Sequence, residues 1–110
     1  MEKYEMTLNK GMKEISIKVR GRYEPDDAKR FAEEFIKLVS TIHPSEFLLW
    51  FDAEELKVSN QAMVPVLEGS FKMYKKLGFK KIITTVGSNV ALKKQLKKIG
   101  ITVGLDIEIY

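Results

Sequence analysis

The sequence predicts an α/β fold: a single-domain mixed sheet, opened by an antiparallel hairpin and continued by parallel strands, with helices packed on it. Three observations predict it. Two short runs with period-two alternation stand at the start of the chain. After them, apolar runs of strand length alternate with stripes at helical spacing, in the order β-β-α-β-α-β-α-β. The 110 residues suit one domain, and no repeat, low-complexity tract or linker divides them.

Tyr4, Met6 and Leu8 alternate with Glu5 and Thr7, and Ile15, Ile17 and Val19 alternate with Ser16 and Lys18. Asn9-Lys10-Gly11 separates the runs, which predicts a hairpin whose positive φ is supplied by Gly11. Gly21 ends the second strand. Pro25 fits the first turn of a helix, where a missing N–H costs nothing, and Asp26 and Asp27 complement its positive end. Ala28, Phe31, Phe35, Leu38 and Ile42 follow at steps of three and four, one apolar stripe opposite Lys29, Arg30, Glu33, Glu34 and Lys37. His43-Pro44 ends this helix, because the residue before proline is pushed out of the α region.

Phe47-Leu48-Leu49-Trp50-Phe51 is apolar at every position, the pattern of a central strand covered on both faces. Trp50 and the phenylalanines are therefore expected in the core, with no ligand role. Asp52 to Ser59 reads as a polar connection. Met63, Leu67, Phe71, Tyr74 and Leu77 form a second stripe, ended by Gly78 at the C-cap. Pro65 places its start near Val64 or just before. Lys81 to Val86 is a further buried-type strand, Gly87-Ser88-Asn89 caps a third helix through about Lys98, and Ile107 and Ile109 close the chain as a short strand.

Composition narrows the function classes. There are no cysteines, so disulfides and thiolate metal sites are excluded. The first ten residues lack the apolar stretch of a signal peptide, and no apolar run approaches the ~20 residues that span a bilayer. A cytoplasmic protein is expected. Charge is strongly segregated. Residues 69–105 hold nine lysines and no acid, against ten basic and thirteen acidic side chains in residues 1–68. Any functional reading must address that basic half.

The pattern resembles the STAS domain, the SpoIIAA-like fold of anti-sigma-factor antagonists, over nearly the whole chain. The hairpin passes through Val19-Arg20-Gly21 into Tyr23-Glu24-Pro25 and the first helix. The strand Phe47 to Phe51 leads to a helix ending Tyr74-Lys75-Lys76-Leu77-Gly78. A strand ending Val86-Gly87-Ser88 feeds a basic helix that closes with Ile99-Gly100-Ile101 and a last short strand. The resemblance implies a non-enzymatic regulatory domain that acts through protein–protein contact. In the regulatory members an Asp-Ser-Ser-Gly signature opens the second helix and carries a phosphorylated serine. Here that region reads Val58-Ser59-Asn60-Gln61-Ala62-Met63, without the aspartate or the glycine, and the family's final helix is not expected after the last short strand. A conventional phospho-switch is therefore not expected. Ser59 is the phosphorylation candidate, with a plain helix-capping serine as the alternative, and Val58, Ser59, Asn60, Gln61 and Ala62 form the partner-binding candidate.

Catalytic chemistry finds little to work with. His43, the single histidine, stands beside a proline with Glu46 as the one nearby carboxylate, and reads as an exposed loop residue. Asp52, Glu54 and Glu55 follow a central strand at the edge where α/β sheets bind ligands, but a solvated acidic loop is the commoner reading. No zinc spacing, P-loop or nucleophile elbow is present, so no catalytic residue, metal or cofactor is assigned. Gly87-Ser88-Asn89 could cradle an anion, although a capped turn explains it equally well. The alternative function is an anion-binding module for nucleic acid or acidic lipid. Its candidate residues are Lys72, Lys75, Lys76, Lys93, Lys94, Lys97 and Lys98, on helices that right-handed crossovers can set side by side. Against nucleic acid, residues 69–105 contain no arginine, and Phe71, Tyr74 and Phe79 look committed to the core.

Overall fold

A computed structural model of the chain describes residues 3–57 and 63–110. Strands β1 (Tyr4–Asn9) and β2 (Glu14–Gly21) form the hairpin. Helix α1 (Pro25–Val39), strand β3 (Leu48–Leu56), helix α2 (Met63–Leu77), strand β4 (Lys81–Thr85), helix α3 (Val90–Val103) and strand β5 (Ile107–Ile109) follow. The α/β class and the element order are those expected. The strands lie in the order β1-β2-β3-β4-β5, with β1 antiparallel to β2 and every later pair parallel.

Each parallel strand after β2 is added on the same side of its predecessor. Right-handed crossovers repeated in one direction must all pass over the same face. Burial agrees: Ile15, Ile17 and Val19 of β2, Leu49, Phe51 and Ala53 of β3, and Ile82 and Thr84 of β4 face the helices and are inaccessible or nearly so. Phe35 of α1, Phe71 and Tyr74 of α2, and Leu92, Leu96 and Ile99 of α3 meet them from the other side. Tyr74 is the hub of the aromatic packing, with Phe35, Phe51, Phe71 and Phe79 between 5.2 and 6.4 Å away, centroid to centroid. Burial raises its phenol pKa far above the ordinary value, and its hydroxyl has no partner among the described residues.

The other face of the sheet is open, which corrects the expectation of a central strand covered on both sides. Trp50 is 36% exposed there. Its register neighbours across the sheet are Ser16 on β2 and Ile83 on β4. An apolar run on both faces is therefore not always a sign of two covering layers; a wide sheet also shields the middle of its open face with its own neighbours.

Several details differ from expectation, each with a structural reason; strand β4 also ends one residue early, at Thr85. The left-handed residue of the hairpin is Lys13, at φ 54°, and not Gly11. The connection is longer than a two-residue turn, and the Asn9 side chain organises it by accepting the Met12 amide at 3.0 Å. Helix α1 stops at Val39 instead of reaching His43, because the Ser40 and Thr41 hydroxyls donate to the Lys37 and Leu38 carbonyls. Strand β3 starts one residue later than expected and runs on to Leu56, through the segment expected to be a polar connection. A bulge permits this: Lys18 faces Asp52 but Arg20 faces Glu55, so β3 holds one extra residue, and Ala53 and Leu56 both point inward while Glu54 and Glu55 stay exposed. Helix α3 continues past Lys98 to Val103 and ends at Gly104, φ 75°, since Gly100 serves close packing and not termination.

Residue Asp27 does more than complement a dipole. It is buried at the third position of α1, where Oδ2 accepts from Lys3 Nζ at 2.6 Å and from the Glu24 amide at 2.9 Å, and Oδ1 accepts from Arg30 Nη2 at 2.7 Å. Lys3 in turn donates to the Arg22 carbonyl, so this carboxylate pins the first helix to the edge strand. The Lys3 bond, then the Glu24 amide, hold its pKa down to about 2 from an ordinary 3.8. A depressed carboxylate stabilises the fold above its unfolded pKa and loses that contribution as pH falls through the folded one. Urea unfolding midpoints are therefore expected to drop between pH about 4 and about 2, with a smaller drop in Asp27→Asn. Parallel profiles for the two proteins would contradict this.

Candidate functional site

Because every helix follows a parallel strand, the starts of α1, α2 and α3 gather at the carboxyl edge of the sheet. This is the edge where open α/β sheets place ligands and partners. The candidate segment Val58, Ser59, Asn60, Gln61 and Ala62, between β3 and α2 in the sequence, lies outside the described residues. At the end of β3, Val19, Tyr23, Phe31, Leu56 and Leu67 line a hollow of about 30 Å³, space for roughly one water.

The turn before α3 is a capped turn. Asn89 Oδ1 accepts the Leu92 amide at 3.1 Å, and Gly87 adopts φ 58°. The carboxylate of Glu54 leans against Gly87, its Oε1 only 3.0 Å from where a Cβ would sit. A negative group already at the turn opposes a second anion there, so Gly87-Ser88-Asn89 is better explained by capping than by anion binding.

The remaining acidic candidates do not converge. Asp52 Oδ1 accepts the Glu54 amide at 3.1 Å, while Glu55 pairs with Lys18 at 3.5 Å and with Arg20 at 3.6 Å. Among the described residues, no three His, Asp or Glu side chains are arranged to hold one metal ion. The imidazole of His43 is exposed just before a 3-10 turn, Pro44–Glu46, at the opposite end of β3 from these carboxylates. Its neighbour Glu46 pairs with Lys13 at 3.6 Å.

Two broad surfaces of opposite character remain. On the open sheet, Trp50 and Ile83 form the floor of a shallow depression of about 340 Å³, bordered by Thr7, Ser16, Thr85 and Asp52. Ion pairs frame it: Arg20 with Glu5 at 2.7 Å, and Lys81 with Glu108 at 2.8 Å. The Lys81–Glu108 bond raises the lysine pKa and lowers that of the carboxyl, so both stay charged at neutral pH.

On the helix side, α2 and α3 pack against each other as the right-handed crossover requires. All seven candidate lysines are exposed, but they are not equivalent. Lys72 pairs with Glu68 at 3.4 Å, and Lys75 donates to the Val103 carbonyl at 2.9 Å, capping α3 from α2. For Lys76, Lys93, Lys94, Lys97 and Lys98, no carboxylate within 4 Å is found among the described residues. Like charges crowded together without counter-charges favour any polyanion that approaches.

Two features escaped the sequence reading. Trp50 was hidden by an apolar run that gives no sign of strand order. Val90 and Ile101 are 62% and 84% exposed on α3. A helical projection of residues 90–103 would have found them, since both fall on the lysine side.

No protein-family model matches the chain, and no curated protein is significantly similar to it. The fold and its surfaces thus define its class: an α/β domain with helices on one face of its sheet and an exposed sheet on the other. No described helix is long and apolar enough to cross a membrane.

Proposed function

We propose that this chain is a non-enzymatic, protein-binding regulatory domain of the kind represented by the anti-sigma-factor antagonists. One observation supports the reading above others. The element order that carries the STAS resemblance is the order of the folded chain, and β3 ends and α2 begins at the carboxyl edge of the sheet. That connection and the exposed side of α2 form the contact surface, and the binding is constitutive, because the signature that receives the phosphate lacks its aspartate and its glycine.

The test begins with a tagged chain recovered from its native cell extract and a captured partner purified on its own. Its affinity is then measured for the unmodified chain, for Ser59→Asp, and for Asn60→Lys with Gln61→Glu. The Ser59 variant is expected to bind within about twofold of the parent, and the paired substitution to weaken binding at least tenfold, about 1.4 kcal/mol. A purified partner indifferent to the paired substitution would remove this surface from the proposal. A tenfold loss in Ser59→Asp would restore a phospho-switch.

The exposed lysines of α2 and α3 favour a second reading, an anion-binding module. Binding to a polyanion through several lysines weakens steeply from low to physiological salt, and a flat salt response would count against it.

A further inference from the structure

We propose that α3 docks the protein onto an anionic lipid bilayer, a commitment that rests on the second reading above. At 3.6 residues per turn, Val90 and Ile101 lie within about 20° of one another around the helix and about 16 Å apart along it. Lys94 and Lys97 fall between them on the same line, with Lys93 and Lys98 on either flank, directly opposite the buried Leu92, Leu96 and Ile99. The most outward line of the helix therefore has an apolar residue near each end and lysines in the middle. Neither apolar residue serves the core: Val90 is 62% and Ile101 84% exposed. At the Ile101 end the apolar surface continues into a shallow hollow of about 290 Å³, which Leu105, Ile107 and Ile109 line together with Asp106 and Lys97.

A flat, layered target suits this arrangement. Lysine ammonium groups reach the headgroup phosphates while their stems and the two apolar side chains enter the boundary beneath. A straight line of contact about 16 Å long lies flush on a planar surface. Nucleic acid fits less well. The basic segment has no arginine for bidentate base or phosphate contacts, and no exposed aromatic among its lysines to stack on a base. Ile101 would also press against phosphates with no apolar partner. The open sheet, with Glu5, Asp52, Glu55 and Glu108, faces away and does not compete for the same surface.

Co-flotation of the full chain with vesicles tests this directly. Strong binding is expected to vesicles of equal parts phosphatidylcholine and phosphatidylglycerol, and none to phosphatidylcholine alone. Lys94→Gln with Lys97→Gln should weaken binding roughly 30-fold, at about fivefold per lysine near an anionic surface. Ile101→Ser, which leaves the charge unchanged, should weaken it roughly fivefold by removing apolar insertion. Lys29→Gln with Lys37→Gln on α1 should change little. Circular dichroism checks that each variant folds, and all five positions are exposed. Retention on duplex DNA or heparin without vesicle binding overturns the lipid assignment and leaves the anion-binding reading standing. Binding to none of these overturns both. Vesicle binding unchanged by Ile101→Ser would also overturn it, since the contact would then be one of charge alone.

Discussion

Phe35→Ala is expected to be the most damaging single truncation, costing about 3–5 kcal/mol. A domain of this size has about 5–15 kcal/mol in total, so the variant would lose a large share of its stability. Phe35 is completely inaccessible and is the ring through which α1 reaches the rest of the core. It stacks on Phe31 at 6.1 Å, meets Tyr74 edge-on at 5.2 Å, and touches Phe79 at 6.0 Å. Removing it breaks three aromatic contacts and leaves a void among side chains that belong to three different segments and cannot all collapse together. Chemical denaturation supplies the check. A loss below about 1 kcal/mol would mean that the site relaxes far more than rigid aromatic neighbours allow.

Gly100→Ala comes next, and it should run against the usual rule. Alanine in a helix interior normally stabilises relative to glycine by about 0.5–1 kcal/mol. At Gly100 a Cβ would sit 3.0 Å from the Leu105 carbonyl oxygen and 3.5 Å from Ile107 Cδ1. The oxygen belongs to backbone and cannot swing aside, and the Leu105 amide also donates to the Gly100 carbonyl at 2.9 Å. The turn that brings β5 back to the sheet is thus built on the absence of a side chain, and alanine is expected to cost about 1–3 kcal/mol. Gly69 is the control. It lies exposed within α2 with nothing within 4 Å of its Cβ position, so Gly69→Ala should gain about 0.5–1 kcal/mol. Thermal melts of the two variants should move in opposite directions, and a stabilising Gly100→Ala would refute the close-packing account.

Much of this architecture was legible in local pattern. The spacing of Phe31 and Phe35, the cap at Asn89, the C-terminal Gly78 and the alternation of Ile15, Ile17 and Val19 each depend on neighbours a few residues away. The lysine segregation was equally plain. What local pattern missed were features settled by distant contacts: the bulge that carries β3 to Leu56, the close approach at Gly100, and the three partners of Asp27, one of which is Lys3 at the far end of the hairpin. The sequence showed the candidate lysines as a set, but not as a ranked one. Only the folded chain shows Lys72 and Lys75 already engaged, while Lys94 and Lys97 have no carboxylate within 4 Å among the described residues.

The amino acids by themselves determined which segments become strands and helices, and that one half of the chain would be basic, because periodicity and charge are properties of the chain near each residue. Strand order was decided only in three dimensions. Consecutive addition of β3, β4 and β5 on one side, with crossovers of a single hand, sends all three helices to one face. That choice depends on pairing between residues far apart in the chain. It turned Trp50 from a core residue into the floor of an open surface, and set the exposed lysines of α3 in line on the opposite side of the molecule.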